Sequence, residues 1–325
     1  MISLEEAIEQ TNNYIAGALR RFSGGLEEMT AYMTRALGKG VRMRVLLNAA
    51  MGDDGLIPEN APKAAAAIEL LHIATLVHDD IIDDTPLRRG IETVQHKFGK
   101  KNAVICGDYL LCMSLSTIAG LDFSEEEGRT KKLSSLISDF SQALAGICRG
   151  EYKQHLHNGD LDMNLFTYLR IISGKTAALF YISAYLGGIL GGEDERKARS
   201  LGRFGQCLGV SFQIVDDCKD YELSEEQALK PVGNDIINGV ITLPLIMALK
   251  KEPALRDLAK DAMSNAQTAS KLVGEVRRIG GADGAREILR RYDGKARKAL
   301  RNITGVKKDN LLEILSKTLT SSSKF

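Results

Sequence analysis

Cysteine is scarce in this 325-residue chain, and what there is does not pair. Cys106, Cys112, Cys148, Cys207 and Cys218 are odd in number and show no CxxC spacing. That pattern excludes a disulfide framework or a thiolate zinc site and points to a reducing compartment, read as the cytoplasm. Charge of one sign is missing too: the formal net charge is +1. No global field for nucleic acid or a membrane surface results, so any electrostatic function has to be local. No apolar run of about 20 residues is present, and no transmembrane helix is expected. The opening "MISLEEAIEQ" is acidic and amphipathic, unlike a signal peptide.

Proline is rare, with six residues and none between Pro86 and Pro231. An internal proline removes a backbone hydrogen bond and clashes with the preceding turn, so long helices need such ground. Helical periodicity dominates what remains. Helices are expected at about 5–22, 26–37, the "VLLNAAMG" segment, 62–84, 102–119, 129–156, 163–190, 195–222, 242–250 and 254–279, with shorter ones to about 318. Strand alternation and Pro/Gly/Ser-rich linkers are absent. The expectation is one all-α domain over 1–325 with a frayed tail. Gly187-Gly188 and Gly191-Gly192 read as close packing and a helix end, because no strand precedes them.

Acid is abundant in two places. "HDDIIDD", residues 78–84, closes an apolar helix with four carboxylates. Buried carboxylates are costly unless something cationic compensates them. Asp79 and Asp83 stand one turn apart and share a helix face, and Asp80 is rotated from Asp79 by about 100°. A lone acidic helix end is as often a solvated surface as a cation site. "FQIVDDCKDY" repeats the spacing: Asp216, Asp217 and Asp220 again end an apolar helix. Two identical D-D-x-x-D clusters are poor candidates for coincidence. Facing each other across a cavity, they would require several divalent ions or an ion-bound polyanion. Mg²⁺ suits them, since it takes oxygen ligands and commonly combines one or two carboxylates with phosphate and water.

Basic residues answer the acid. Arg88 and Arg89 follow the first cluster, and guanidinium is a bidentate fork for phosphate oxygens. The plain alternative is an ion pair with Asp83 or Asp84. Lys39, Arg42 and Arg44 form a second basic turn. Lys175-Thr176 sits inside a predicted helix, and Lys230 lies in the loop after the second cluster. Together they imply a substrate carrying diphosphate. His72 is two turns before Asp79 on the same face. His78 is read as structural.

These residues resemble the trans-isoprenyl diphosphate synthases, from about Leu37 to Leu245. "ELLHIATLVHDDIIDDTPLRRG" is similar to the family's first aspartate-rich motif, and "FGKKNAVICGDYLL" to its G-x-x-x-A-x-x-x-G-D-Y segment. "SGKTAALF", "FQIVDDCKDY" and "KPVGNDIINGVITLPLI" resemble the later motifs. The resemblance implies a helical bundle of the isoprenoid synthase type around a central cavity. It implies condensation of isopentenyl diphosphate with an allylic diphosphate, with several Mg²⁺ ions and a homodimer. It assigns Asp79, Asp80, Asp83, Asp216, Asp217 and Asp220 to the metal, with Asp216 the main ligand of its cluster. Arg88, Lys175, Thr176, Gln213 and Lys230 fall on the allylic diphosphate, and Lys39, Arg42, His72 and Arg89 on isopentenyl diphosphate. Ala74 and Thr75, small where short-chain members carry aromatics, predict a product longer than fifteen carbons. A geranylgeranyl-length product is the close alternative.

Two departures stand out. The basic turn reads Leu37-Gly38-Lys39-Gly40-Val41-Arg42-Met43, without the family's proline, so Arg42 and Arg44 compete for one role. Val240-Ile241-Thr242 stands where the family carries a lysine just before Thr-Leu-Pro. Three other readings compete. A terpene cyclase would ionise the same substrate, but the paired D-D-x-x-D clusters and Arg89 argue against it. A di-iron bundle would use Glu69-Leu70-Leu71-His72 as one Glu-x-x-His element, but a second is missing. A non-catalytic subunit of a heteromeric synthase is opposed by the intact clusters.

Overall fold

The structure is a computed structural model that describes residues 1–20, 27–33, 38–88, 90–122, 129–222 and 233–320. Arg89, Lys230, Leu37 and the 321–325 tail lie outside the described residues. The chain is all-α. The helices are α1 (Leu4–Arg20), α2 (Glu27–Met33), α3 (Val41–Ala50), α4 (Ala61–Ile82), α5 (Val94–Phe98), α6 (Lys100–Ala119), α7 (Arg129–Leu156) and α8 (Leu165–Lys175). They continue as α9 (Ala177–Leu190), α10 (Glu195–Glu222), α11 (Asn234–Ile237), α12 (Leu243–Lys251), α13 (Leu255–Ala262), α14 (Ala266–Ile279), α15 (Gly281–Ala299) and α16 (Gly305–Thr320).

Three local features differ from the sequence expectation. A two-residue ribbon pairs Leu87 with Glu92 and Arg88 with Ile91, turning at Gly90 with φ +77°. The helix expected over 163–190 breaks at Thr176, which caps α8 with its N–H on the Ile172 carbonyl. The helix expected over 254–279 breaks where Asn265 caps α14, accepting from Gln267 and Thr268 N–H.

Contacts divide the chain into two compact units. One holds Met1–Gln142, Ile182–Gly202 and Asn302–Leu311; the other holds Ala143–Tyr181, Arg203–Arg301 and Leu312–Phe325. In the first unit α4 and α6 pack along their length. Ala66, Leu70, Ala74 and Val77 of α4 share a buried cluster with Ala103, Cys106 and Leu110 of α6. A Cβ on Gly107 would sit 2.3 Å from His78 Nε2, so glycine lets the α4 imidazole lie against α6. Gly187 works the same way under α3, since a Cβ there would lie 2.3 Å from the Leu46 carbonyl oxygen. The close-packing expectation for that glycine pair is met.

By length and composition alone helix α6 is long and apolar enough to cross a membrane. One face, with Ala103, Cys106, Gly107, Leu110, Ser114 and Ile118, is buried, while Val104 and Ile105 are exposed. The second unit is built around Tyr168 and Ile172 of α8, Val210 and Ile214 of α10, and helices α12 to α15. All five cysteines are free thiols.

Candidate active site

Each aspartate cluster is described within its own unit. Helix α4 begins with Pro62 in its first turn and runs on an alanine-rich face. It stops because Asp84 adopts φ +48°, which aspartate tolerates better than most residues, and Pro86 forces Thr85 out of the helical region. The carboxylates of Asp79, Asp80 and Asp83 are thus gathered on its last turn.

They do not share one environment. Asp83 is exposed and Asp79 half-buried, whereas Asp80 is only 6% exposed. Arg88 reaches back from the ribbon and places Nε and Nη2 each 2.8 Å from Asp80 Oδ1. Burial pushes the Asp80 carboxyl above its ordinary value, Arg88 pulls it down, and Asp83 pushes it up. Asp84 pairs with Lys100 at 2.8 Å. The ion pair for Arg88 exists, but with Asp80 rather than the expected Asp83 or Asp84.

Further along α4, Arg42 of α3 lies with Nη1 3.0 Å from His72 Nε2. Arg44, two residues on, is exposed. The structure therefore brings Arg42 and His72 together and leaves Arg44 outside that pair; Lys39 is exposed in the preceding turn. Glu69, one turn before His72, is the acidic half of the Glu-x-x-His element that the di-iron reading needs. It instead accepts the Met43 N–H at 2.9 Å, capping the start of α3 where Gly40 offers no side chain. Burial raises the Glu69 carboxyl, and the Arg42 charge opposes that shift. Ala74 is 2% exposed inside the cluster that also holds Met29 and Met33. Thr75 donates its hydroxyl to the His72 carbonyl at 2.8 Å.

In the second unit α10 carries Gln213, Asp216, Asp217 and Asp220 on one face at helical spacing. Asp216 is exposed and lies 3.6 Å from Lys219. Asp217 is 4% exposed. Its Oδ2 accepts from the Tyr168 hydroxyl at 2.6 Å and its Oδ1 from Gln213 Nε2 at 2.8 Å. Burial pushes Asp217 up to about 7, the two hydrogen bonds pull down, and Asp216 and Asp220 push further up. Thr176, at the α8 end, donates to Gln213 Oε1 at 2.7 Å. Lys175 is held by Glu151 at 2.8 Å. The sequence carries no sign of Tyr168 as a partner of this cluster, and it offers Glu69 and Glu151 only to the di-iron reading.

The donor set can be tested against a hard divalent ion. No three His, Cys, Asp or Glu side chains among the described residues converge into a metal cage. The outer carboxylates, Asp79 with Asp83 and Asp216 with Asp220, keep one-turn spacing. That fits Mg²⁺, which is bound through one or two carboxylates and completes its shell with phosphate and water.

The comparisons with known proteins decide the family. A family model described as polyprenyl synthetase matches residues 24–279. The chain belongs to the polyprenyl synthetase family. It is 34% identical over 276 residues to the heptaprenyl diphosphate synthase component 2 of Bacillus subtilis, covering 83% of this chain and 75% of that protein. The crystal structure of heptaprenyl diphosphate synthase from Staphylococcus aureus superposes with a TM-score of 0.86 at 29% identity, covering 99% of each chain. A polyprenyl synthase from Caulobacter crescentus, complexed with calcium and isoprenyl diphosphate, gives 0.86 at 26% identity over 98% of this chain and 95% of that one. The fold is the all-α isoprenoid synthase fold. The chain is a prenyltransferase that condenses isopentenyl diphosphate with an allylic diphosphate into a product longer than fifteen carbons.

Proposed function

We propose that this polyprenyl synthetase makes a product longer than the geranylgeranyl alternative and that each aspartate cluster binds substrate diphosphate. The carrying observation is the arrangement at each helix end. Two outer carboxylates stand one turn apart on the open side, and the middle carboxylate is satisfied from within. A diphosphate-suited group neighbours each cluster: Arg88 the first, Gln213 with Thr176 the second.

In this reading Arg88, Lys175 and Lys230 hold the allylic diphosphate and take up charge as the C–O bond ionises. Bound at the outer aspartates, Mg²⁺ supplies Lewis-acid neutralisation of the leaving diphosphate. Lys39, Arg42, Arg89 and His72 seat isopentenyl diphosphate, whose double bond attacks the allylic cation. Arg42 is preferred to Arg44 because it stands against His72. The new carbon–carbon bond leaves a tertiary cation, which loses a proton to the departed diphosphate. The chain supplies position and exclusion of water. Repetition adds one isoprene unit at a time. Small residues at Ala74 and Thr75 favour long growth, with geranylgeranyl length the alternative.

The same reading takes 1–325 as one catalytic domain, working in the cytoplasm as its free thiols favour. Either a homodimer or a pairing with a second kind of subunit completes it; the Bacillus subtilis relative is itself one component of a synthase. The test incubates purified protein with Mg²⁺, isopentenyl diphosphate and allylic primers of five, ten, fifteen and twenty carbons. Hydrolysed products are then sized by mass spectrometry. Growth by whole isoprene units beyond twenty carbons is the expected result. Folded protein that elongates no primer and releases hydrocarbon from the primer alone would overturn the reading in favour of a cyclase; no reaction at all would mark a subunit awaiting its partner.

A further inference from the structure

Among the polar groups of the second unit, one buried hydroxyl has no role in the mechanism above. Tyr168 is 3% exposed on α8, and its oxygen lies 2.6 Å from Asp217 Oδ2. The ring is held in the core cluster with Ile172, Val210 and Ile214. The phenol hydroxyl donates and Asp217 accepts.

The hydrogen-bond chemistry then runs one way. Asp217 Oδ2 accepts from Tyr168, and the Gln213 amide nitrogen donates to Asp217 Oδ1 at 2.8 Å. The amide oxygen is thereby turned to Thr176, which donates at 2.7 Å. One Nε2 hydrogen of Gln213 is used on Asp217, and the second is left for an acceptor. Reversed, the amide would present a carbonyl oxygen in place of that N–H, and an anion would meet a lone pair.

We propose that Tyr168 is a positioning residue which, through Asp217, fixes the Gln213 amide with an N–H aimed at the substrate diphosphate. This rests on the synthase reading of the Lys175 to Asp220 residues. Asp217 then acts through Gln213 rather than as a direct metal ligand.

Tyr168→Phe removes only the hydroxyl. Inorganic diphosphate is titrated into the full chain by calorimetry at saturating Mg²⁺, and the Mg²⁺ concentration for half-maximal velocity is measured separately. The variant is expected to bind diphosphate about tenfold more weakly, the scale of one hydrogen bond to a charged group. Its Mg²⁺ midpoint is expected to stay in place. Asp217→Asn is expected to match it, because one of the two acceptor oxygens becomes an NH2 group that can accept from neither donor, and it carries the test if Tyr168→Phe does not fold. Gln213→Ala should also weaken diphosphate, and adding Tyr168→Phe to it should cost nothing further. Thr11→Val, which deletes another fully buried hydroxyl, controls for stability loss and should leave diphosphate affinity alone.

Unchanged affinity in Tyr168→Phe beside a weakened Gln213→Ala would overturn the proposal. So would additive losses in the double variant, or a raised Mg²⁺ midpoint with affinity intact at saturating metal. Wild-type protein that neither binds diphosphate nor elongates a primer would overturn the synthase reading itself, a result distinct from any of these.

Discussion

The two aspartate clusters share a spelling, D-D-x-x-D at the end of an apolar helix, but are completed differently. In each the second aspartate is buried, Asp80 at 6% and Asp217 at 4% exposure. Asp80 is met by a cation, Arg88, with two nitrogens at 2.8 Å. Asp217 is met by neutral donors, Tyr168 and Gln213. Neighbouring helical residues point about 100° apart, so adjacent carboxylates can meet different surroundings: Asp80 and Asp217 are buried beside half-buried Asp79 and exposed Asp216. What differs is the chemistry that receives the buried carboxylate. A charge received by a charge keeps its place by Coulomb attraction, and one received by neutral donors depends on each hydrogen bond.

The largest expected effect separates outer from inner aspartates. Asp79→Asn and Asp216→Asn should each cut the elongation rate by about three orders of magnitude, several kcal/mol of lost charge stabilisation. Steady-state incorporation of isopentenyl diphosphate checks this, with circular dichroism showing the fold intact. Rates within tenfold of wild type would remove the outer pair from the chemistry.

The next comparison pits the two inner partners against each other in urea unfolding. Arg88→Met leaves Asp80 buried without its cation and should cost about 2–3 kcal/mol, less than a fully buried pair because Arg88 is partly exposed. Tyr168→Phe should cost about 1 kcal/mol, one hydrogen bond. Equal costs would show that the partner's charge does not matter.

Ala74→Phe bears on the floor beneath the first cluster. The site is packed, so the larger ring should cost about 1–3 kcal/mol. It should also shorten the hydrolysed product, read by mass spectrometry; an unchanged product distribution would sink the floor argument. Smallest of all is the choice between two arginines. Arg42→Met should raise the KM for isopentenyl diphosphate about tenfold, the scale of one charge-assisted hydrogen bond. Arg44→Met should leave it near wild type, and the reverse outcome would move the site by two residues.

Much of this molecule was legible in one dimension. Proline-free ground and a 3.6-residue period mark the long helices, because both constraints act within a turn. The clusters, the adjacent Arg88 and the Lys175-Thr176 pair are likewise local patterns, and they sufficed for the family and its chemistry. The breaks at Thr176 and Asn265 were not legible. A threonine inside a helical period carries no sign that its hydroxyl will be spent on Gln213, 37 residues away. Nor could periodicity say that Glu69 would cap α3 rather than serve a metal.

The sequence by itself determined which carboxylates share a helix end and how far apart they stand, because helix geometry turns spacing into direction. Only the tertiary structure decided which of them is turned inward and what receives it. Arg88 reaches Asp80 through a turn at Gly90, Tyr168 reaches Asp217 from another helix, and Arg42 rather than Arg44 lands on His72. Those pairings depend on how elements distant in sequence pack, and burial sets which polar groups must be satisfied there.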